Sequence, residues 1–454
     1  MLALLILSLL ASAYAAPSHA CTKAEDSPID WRPKANETRV FRVGHDRNSG
    51  REIHVTIPPD FGKNSSEPAP LILAFHDKEM LPLELASASH LSDPNINRNA
   101  VVVYPLARND TWQSDIVVRR WRKNIEQPEY ADDIAFVSSI IDDLGSIICH
   151  DTSRVYATGM GTGGGLVNLL ACDPALSTQI TAFGIVAGGF GGRRHAPIWE
   201  TCAPGRSPVP MLEVHGDEDR ILPYFLNEWE SAKRRRAVPA FLDEWSDLNG
   251  CGEPVGETMD ARDATGTDVK VTKLSSGGWV SEGEAYNGGA WRLAKSCPGI
   301  NGTAPKIEFK PGERLSAHDP EHFTLLHYRL KGFGHGWPLL RLKGADRVFD
   351  TTALLLDWFK IHKLPIHLAL RVTPQTSTMR VPVDQAAAAV EAIREAGGDV
   401  QNVLKDAGDA ARGANEGDDG ADVADDADVD ADDGADVADD ADVDADDEPE
   451  HDEL

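Results

Sequence analysis

Between Val155 and Asp173 the chain reads VYATGMGTGGGLVNLLACD: an apolar run, a glycine-rich turn, then a mostly apolar stretch suited to a helix. Such a strand–turn–helix holds a nucleophile for acyl transfer when its turn reads G-x-S-x-G. Here Gly159-Met160-Gly161-Thr162-Gly163 puts glycine at the nucleophile position. The other members of a triad follow in the chain order such chemistry uses, Asp219 in EVHGDEDRILPY and His335 in GFGHGWP. A histidine oriented by a carboxylate is what activates a hydroxyl. Gly161 offers no hydroxyl. Thr162 is the nearest one, but it is displaced by one residue, and its β-branch adds strain to a tight turn.

The elements that must position these residues are legible around them. Ile53, Val55 and Ile57 alternate with polar neighbours as in a half-buried strand. Short apolar runs at Leu71–Phe75, Val101–Tyr104, Arg154–Thr158, Ala182–Val186, Met211–His215 and Phe323–Tyr328 predict buried strands. Ile134, Val137, Ile141 and Leu144 recur at helical spacing, and a last helix is expected over Thr351–Ile361. Strands alternating with helices imply an α/β fold built on a doubly wound, mainly parallel sheet.

The landmarks LILAFH, VVYP, DTWQ, DDIAFVSSIIDDL, DTSRVYATG, NLLACDP, HGDEDRILPY, GFGHGWP and FDTTALLLDWFKIHKL occur in order from about Arg39 to Leu364. In this the chain resembles the fungal feruloyl esterases of carbohydrate esterase family 1, relatives of polyhydroxybutyrate depolymerases. The resemblance implies an α/β-hydrolase fold and a serine hydrolase that needs no metal or other cofactor. Its family substrates are hydroxycinnamoyl esters of plant cell-wall polysaccharide. It assigns the acid to Asp219 rather than Asp217 or Glu218, and the histidine to His335. It also marks two departures. Gly161 replaces the family's serine, and Asp77 in FHDKEM replaces the glycine of the loop that supplies an oxyanion-hole N–H. Together Asp77 and Thr162 define that oxyanion-hole region. A carboxylate there opposes the charge that develops in acyl transfer. The expectation is an inactive or nearly inactive pseudoesterase with an aromatic ester or cell-wall glycan ligand. An active esterase using Thr162 or another hydroxyl stays open as the alternative.

The compartment is written at the two ends. Leu2–Leu10 followed by Ala13-Tyr14-Ala15 reads as a secretory signal peptide within residues 1–20, cut after Ala15 or Ala20. The apolar run is too short to span a bilayer, so no membrane insertion is expected. Six cysteines without a C-x-x-C pair argue against zinc and for up to three disulfides, whose fifteen connectivities the sequence leaves open. Sequons stand at Asn36, Asn64, Asn109 and Asn301.

The esterase-like domain is expected over 21–364, with a linker and possible short helix over 365–415. An acidic tail over 416–454 completes the chain. It repeats GADVADDADVDADD twice and ends in HDEL, a retrieval signal read by an endoplasmic-reticulum receptor. Its charge density and lack of large apolar groups predict disorder. The tail holds 21 carboxylates, which leaves −8 of the net −29 for all other residues, so nucleic-acid binding is not expected. Weak Ca²⁺ buffering by those carboxylates, at about 10⁻³ M, is a further alternative. The basic run Lys233–Arg236 reads as a solvated helix end, with docking of the acidic tail as the alternative.

Overall fold

The computed structural model describes residues 17–21, 34–43, 50–62, 68–114, 132–190, 201–226, 237–262, 268–299, 323–341, 348–365 and 368. The chain divides into two units, Met1–Ala386 and Ala387–Leu454, and every described residue lies in the first. Residues 1–16, Asn64, Asn301, the basic run at 233–236 and nearly all of the linker and tail lie outside the described residues.

Twelve strands form one sheet in the order β1-β2-β4-β3-β5-β6-β7-β12-β11-β10-β9-β8. They are β1 (Thr38–Val43), β2 (Arg51–Thr56), β3 (Ala69–Phe75), β4 (Val101–Pro105), β5 (His150–Met160), β6 (Ala182–Val186), β7 (Met211–Gly216), β8 (Pro254–Arg262), β9 (Asp268–Leu274), β10 (Trp279–Ala285), β11 (Ala290–Ser296) and β12 (Leu325–Leu330). The centre, from β4 through β3, β5, β6 and β7 to β12, is wholly parallel. Antiparallel strands flank it on both sides, β1 and β2 at one edge and β11 to β8 at the other. Buried parallel strands need apolar residues on both faces, and the alternation within β3 supplies them. Leu71, Leu73 and Phe75 point into one core layer, Ile72 and Ala74 into the other.

Helices α1 (Pro82–Ser89) and α5 (Thr351–Ile361) cover the second face with Leu85, Leu355, Trp358 and Phe359. On the first face lie α2 (Asp133–Ile147), α3 (Thr162–Cys172) and α4 (Val238–Leu248), contributing Phe136, Leu166 and Trp245. The sheet is therefore doubly wound, as an α/β-hydrolase requires. The strands β1 and β8 to β11 and the helices α1 and α4 are additions to the elements predicted above. A separate two-stranded ribbon, β13 (Leu339–Arg341) and β14 (Val348–Asp350), leads into α5.

All six cysteines pair: Cys21–Cys149, Cys172–Cys202 and Cys251–Cys297. The last bond closes the base of the β8–β11 meander, joining residues just before β8 and just after β11. Asn36 and Asn109 are exposed. Among the described residues no helix is long and apolar enough to cross a membrane.

Candidate active site

The C-terminal ends of β3, β5 and β7 and the loop after β12 converge on one point, where ligands of open α/β sheets bind. β5 ends at Met160 and α3 begins at Thr162, so Gly161 alone makes the turn. Its backbone sits at φ 57°, ψ −118°, a conformation in which any side chain is strained. Gly161 N–H donates to Val186 O, and Gly161 O accepts from Gly165 and Gly189 N–H, each at 3.0 Å. The turn is thus held from both sides. A Cβ at Gly159 would run into the Gly163 backbone across the turn, and one at Gly163 would run into the backbone carbonyls of Phe75 and His76 at the end of β3, so both flanking positions require glycine.

Asp77 occupies the vacancy left by the missing side chain. A Cβ built on Gly161 would overlap the Asp77 carboxylate. Oδ1 of Asp77 accepts the backbone N–H of Thr162 and that of Lys78, both at 2.7 Å. Its Oδ2 accepts from His335 Nε2 at 2.8 Å. The carboxylate therefore lies over Gly161, beside His335 and beneath two backbone N–H groups. The two sequence departures meet at one spot. The loop holding Asp77 is fixed by its neighbour. Ala107 N–H donates to His76 Nε2 (3.0 Å), so Nδ1 carries the proton given to Asp77 O (2.7 Å). The Trp112 indole N–H donates to His76 O at 2.8 Å.

His335 bridges two acids. Its Nδ1 donates to Asp219 Oδ2 at 2.7 Å while Nε2 donates to Asp77, so both ring nitrogens carry protons. Burial opposes the imidazolium charge, but the hydrogen bonds to Asp219 and then Asp77 overcome it and push the pKa up to about 9. Burial would raise the Asp77 pKa. The His335 hydrogen bond and the N–H groups of Thr162 and Lys78 hold it below the usual carboxylate range instead. Asp219 is likewise held well below that range against burial, by His215, His335 and the Leu222 N–H. Thr162 directs its hydroxyl to Asp77 Oδ1 at 3.2 Å. His335 Nε2 meets the other oxygen of that carboxylate, Oδ2.

Behind the triad runs a buried chain of polar groups that the sequence reading did not pick out. His215 Nε2 lies 3.3 Å from Asp219 Oδ2, and its Nδ1 lies 2.9 Å from Glu213 Oε1. Glu213 Oε2 lies 2.6 Å from His327 Nδ1, and His327 Nε2 lies 3.0 Å from the Tyr224 hydroxyl. Glu213 is fully buried. The available signal was Glu213-Val214-His215, alternating on a strand of otherwise apolar residues with both polar side chains on one face. Among the described residues no group of three His, Cys, Asp or Glu side chains is arranged to hold a metal ion.

The His335 pKa makes a stability prediction. Folding raises it from 6.5 to about 9, so the stabilisation is complete below 6.5 and disappears as pH rises through about 9. The wild type should melt above His335→Gln at neutral pH, and the gap should narrow as pH passes 9. A gap that widens over that range would mean His335 is not a folded-state cation.

No protein-family model matches the chain. Relatives are nevertheless clear. Probable feruloyl esterase C of Aspergillus niger is 27% identical over 226 residues, 49% of this chain and 69% of that protein. Feruloyl esterase D of Neurospora crassa is 27% identical over 291 residues, 63% of this chain and 88% of that protein. The solved acetyl xylan esterase from Aspergillus awamori aligns with a TM-score of 0.41 at 13% identity, covering 72% of this chain and 99% of that one. A doubly wound sheet, a nucleophile-type turn, and an acid and histidine in hydrolase order accompany those sequence matches. The chain is a homologue of the fungal feruloyl esterases, of the α/β-hydrolase type.

Proposed function

We propose that this protein is a pseudoesterase of the secretory pathway. In this reading it keeps the esterase frame and its ligand class, an aromatic ester or cell-wall glycan, but has lost acyl transfer through serine. One observation carries the reading: the Asp77 carboxylate takes the volume a side chain at Gly161 would need and ties up His335 Nε2. Loss of a serine nucleophile costs on the order of 10⁶ in turnover in subtilisin. The purified chain should therefore hydrolyse methyl ferulate at least about 10³-fold below the ~10 s⁻¹ typical of enzymes. Ordinary turnover that disappears in Thr162→Ala would overturn this and favour the threonine alternative.

Residence in the endoplasmic-reticulum lumen belongs to the same proposal, on the strength of Leu2–Leu10 and the terminal HDEL. A tagged protein with its natural C-terminus should stay in that compartment, and deletion of HDEL should send it to the medium. The fold bears on where the leader is cut. Pro17 bridges to Asp151, Ser18 N–H donates to His150 O at 2.8 Å, and the Ser18 hydroxyl donates to Ile148 O at 2.8 Å. Ser18 is buried. These contacts favour the cut after Ala15, because a cut after Ala20 would discard them. N-terminal sequencing of the secreted form should read Ala16 first; Cys21 first would refute the shorter leader.

A further inference from the structure

We propose that Asp77 is itself a carboxylate nucleophile and that the site hydrolyses esters of phenols, not of alcohols. The inference rests on the reading that Asp77 stands in the serine's place, and the assays below separate the two. The geometry is that of a triad whose nucleophile comes from the loop after β3. Oδ2 faces His335 Nε2 at 2.8 Å, and His335 Nδ1 is held by Asp219 at 2.7 Å. Asp77 and His335 are not sealed off: their side chains are 15% and 9% exposed, while Asp219 is fully covered.

The steps balance with water as the only co-reactant. Oδ2 of Asp77 adds to the ester carbonyl carbon, and collapse breaks the bond to the phenolic oxygen. That oxygen takes the Nε2 proton of His335 and leaves as phenol. What remains is a neutral imidazole and a mixed anhydride between the acyl group and Asp77. Water then gives a proton to His335 Nε2 and adds to Cγ of Asp77. The charge of this second intermediate falls on Oδ1, on which the N–H groups of Thr162 and Lys78 already converge at 2.7 Å. Collapse breaks the Cγ–Oδ2 bond and expels the acid as its carboxylate, carrying Oδ2 away; the water oxygen stays on Asp77, whose new carboxyl returns its proton to solvent.

The same geometry restricts the substrate. In the first addition both N–H donors are engaged by Oδ1, so the acyl oxygen develops charge without them. The intermediate then goes forward only if the departing oxygen competes with a carboxylate of ordinary pKa ~3.9. A phenol near ~10 can do so with a proton from His335. An alkoxide, far more basic, cannot.

The test compares the phenyl and methyl esters of ferulic acid, which differ only in the leaving group. The wild-type chain should hydrolyse the phenyl ester about 10²-fold faster than Asp77→Asn, the scale of a positioned catalytic group, and leave the methyl ester intact. Equal rates in wild type and Asp77→Asn would overturn the proposal. Should that variant fail to fold, wild-type protein in excess over phenyl ferulate in ¹⁸O-water decides. The first turnover should place the label in Asp77 and none in ferulate. Label in ferulate, or no phenol release at all, would refute it. Rapid methyl-ester hydrolysis would instead strike at the pseudoesterase reading.

Discussion

The double variant Asp77→Gly/Gly161→Ser is expected to release ferulate from its methyl ester about 10³-fold faster than the wild type, a partial return of the ~10⁶ lost with a nucleophile. Neither single change should come near it. Gly161→Ser alone drives the new Cβ into the Asp77 carboxylate. Even if the loop yields, Oδ2 still competes for His335 Nε2 and Oδ1 still covers the N–H of Thr162. Asp77→Gly alone frees the N–H donors, worth about 10²–10³ where an acyl oxyanion forms, but supplies no hydroxyl. The remaining parts are already set: the turn at φ 57°, its bonds to Val186 and Gly189, and the Asp219–His335 pair. Turnover of methyl ferulate by the four proteins is the measurement. A double variant no faster than the better single one would mean that restoring positions 77 and 161 does not by itself rebuild an ester site.

That coupling between positions 77 and 161 marks the limit of what the sequence could tell. Gly161, Asp219 and His335 were readable because each lies in a local motif whose spacing carries its role. Asp77 was readable as a departure, but 84 positions of chain separate it from Gly161. Nothing local says that its carboxylate reaches into the vacant side-chain volume, or that it binds His335 at the same time. The parallel centre of the sheet was legible for a physical reason: strands buried on both faces, such as Val101–Tyr104, must be continuously apolar. The meander from β8 to β11 was not. Its strands carry the weaker alternation of a half-exposed sheet, as in DVKVTKL, where Lys270 and Lys273 face outward between Val269, Val271 and Leu274. The polar chain behind the triad escaped because Glu213 sits in an apolar strand and finds one of its partners, His327, only when β12 pairs beside β7.

That chain is where the largest loss of stability is expected. Glu213→Ala should cost about 3–5 kcal/mol, the range for removing one partner from a buried ion pair. Glu213 is fully buried between His215 and His327, and burial alone would raise its pKa; the hydrogen bonds to the two histidines bring it below the usual range. His215 is pushed up to about 10 by Asp219 and Glu213 against its own burial. Removing the Glu213 carboxylate thus leaves a buried imidazolium with one acid instead of two, and takes from His327 the carboxylate 2.6 Å from its Nδ1, leaving that nitrogen only the backbone O of residue 213 at 3.2 Å. The exposed pair Arg98–Asp60 offers the contrast. Its arginine side chain is 53% exposed, and Asp60→Ala should cost less than about 1 kcal/mol. Urea unfolding of the three proteins measures both, read as a shift in midpoint at unchanged slope. The Glu213 loss should also reach His335, because His215 lies 3.3 Å from the Asp219 oxygen that His335 uses. Glu213→Ala should therefore lower the pH at which His335 ceases to stabilise the fold. A variant as stable as Asp60→Ala would mean that water replaces the carboxylate, and that the buried chain is solvated rather than held by charge.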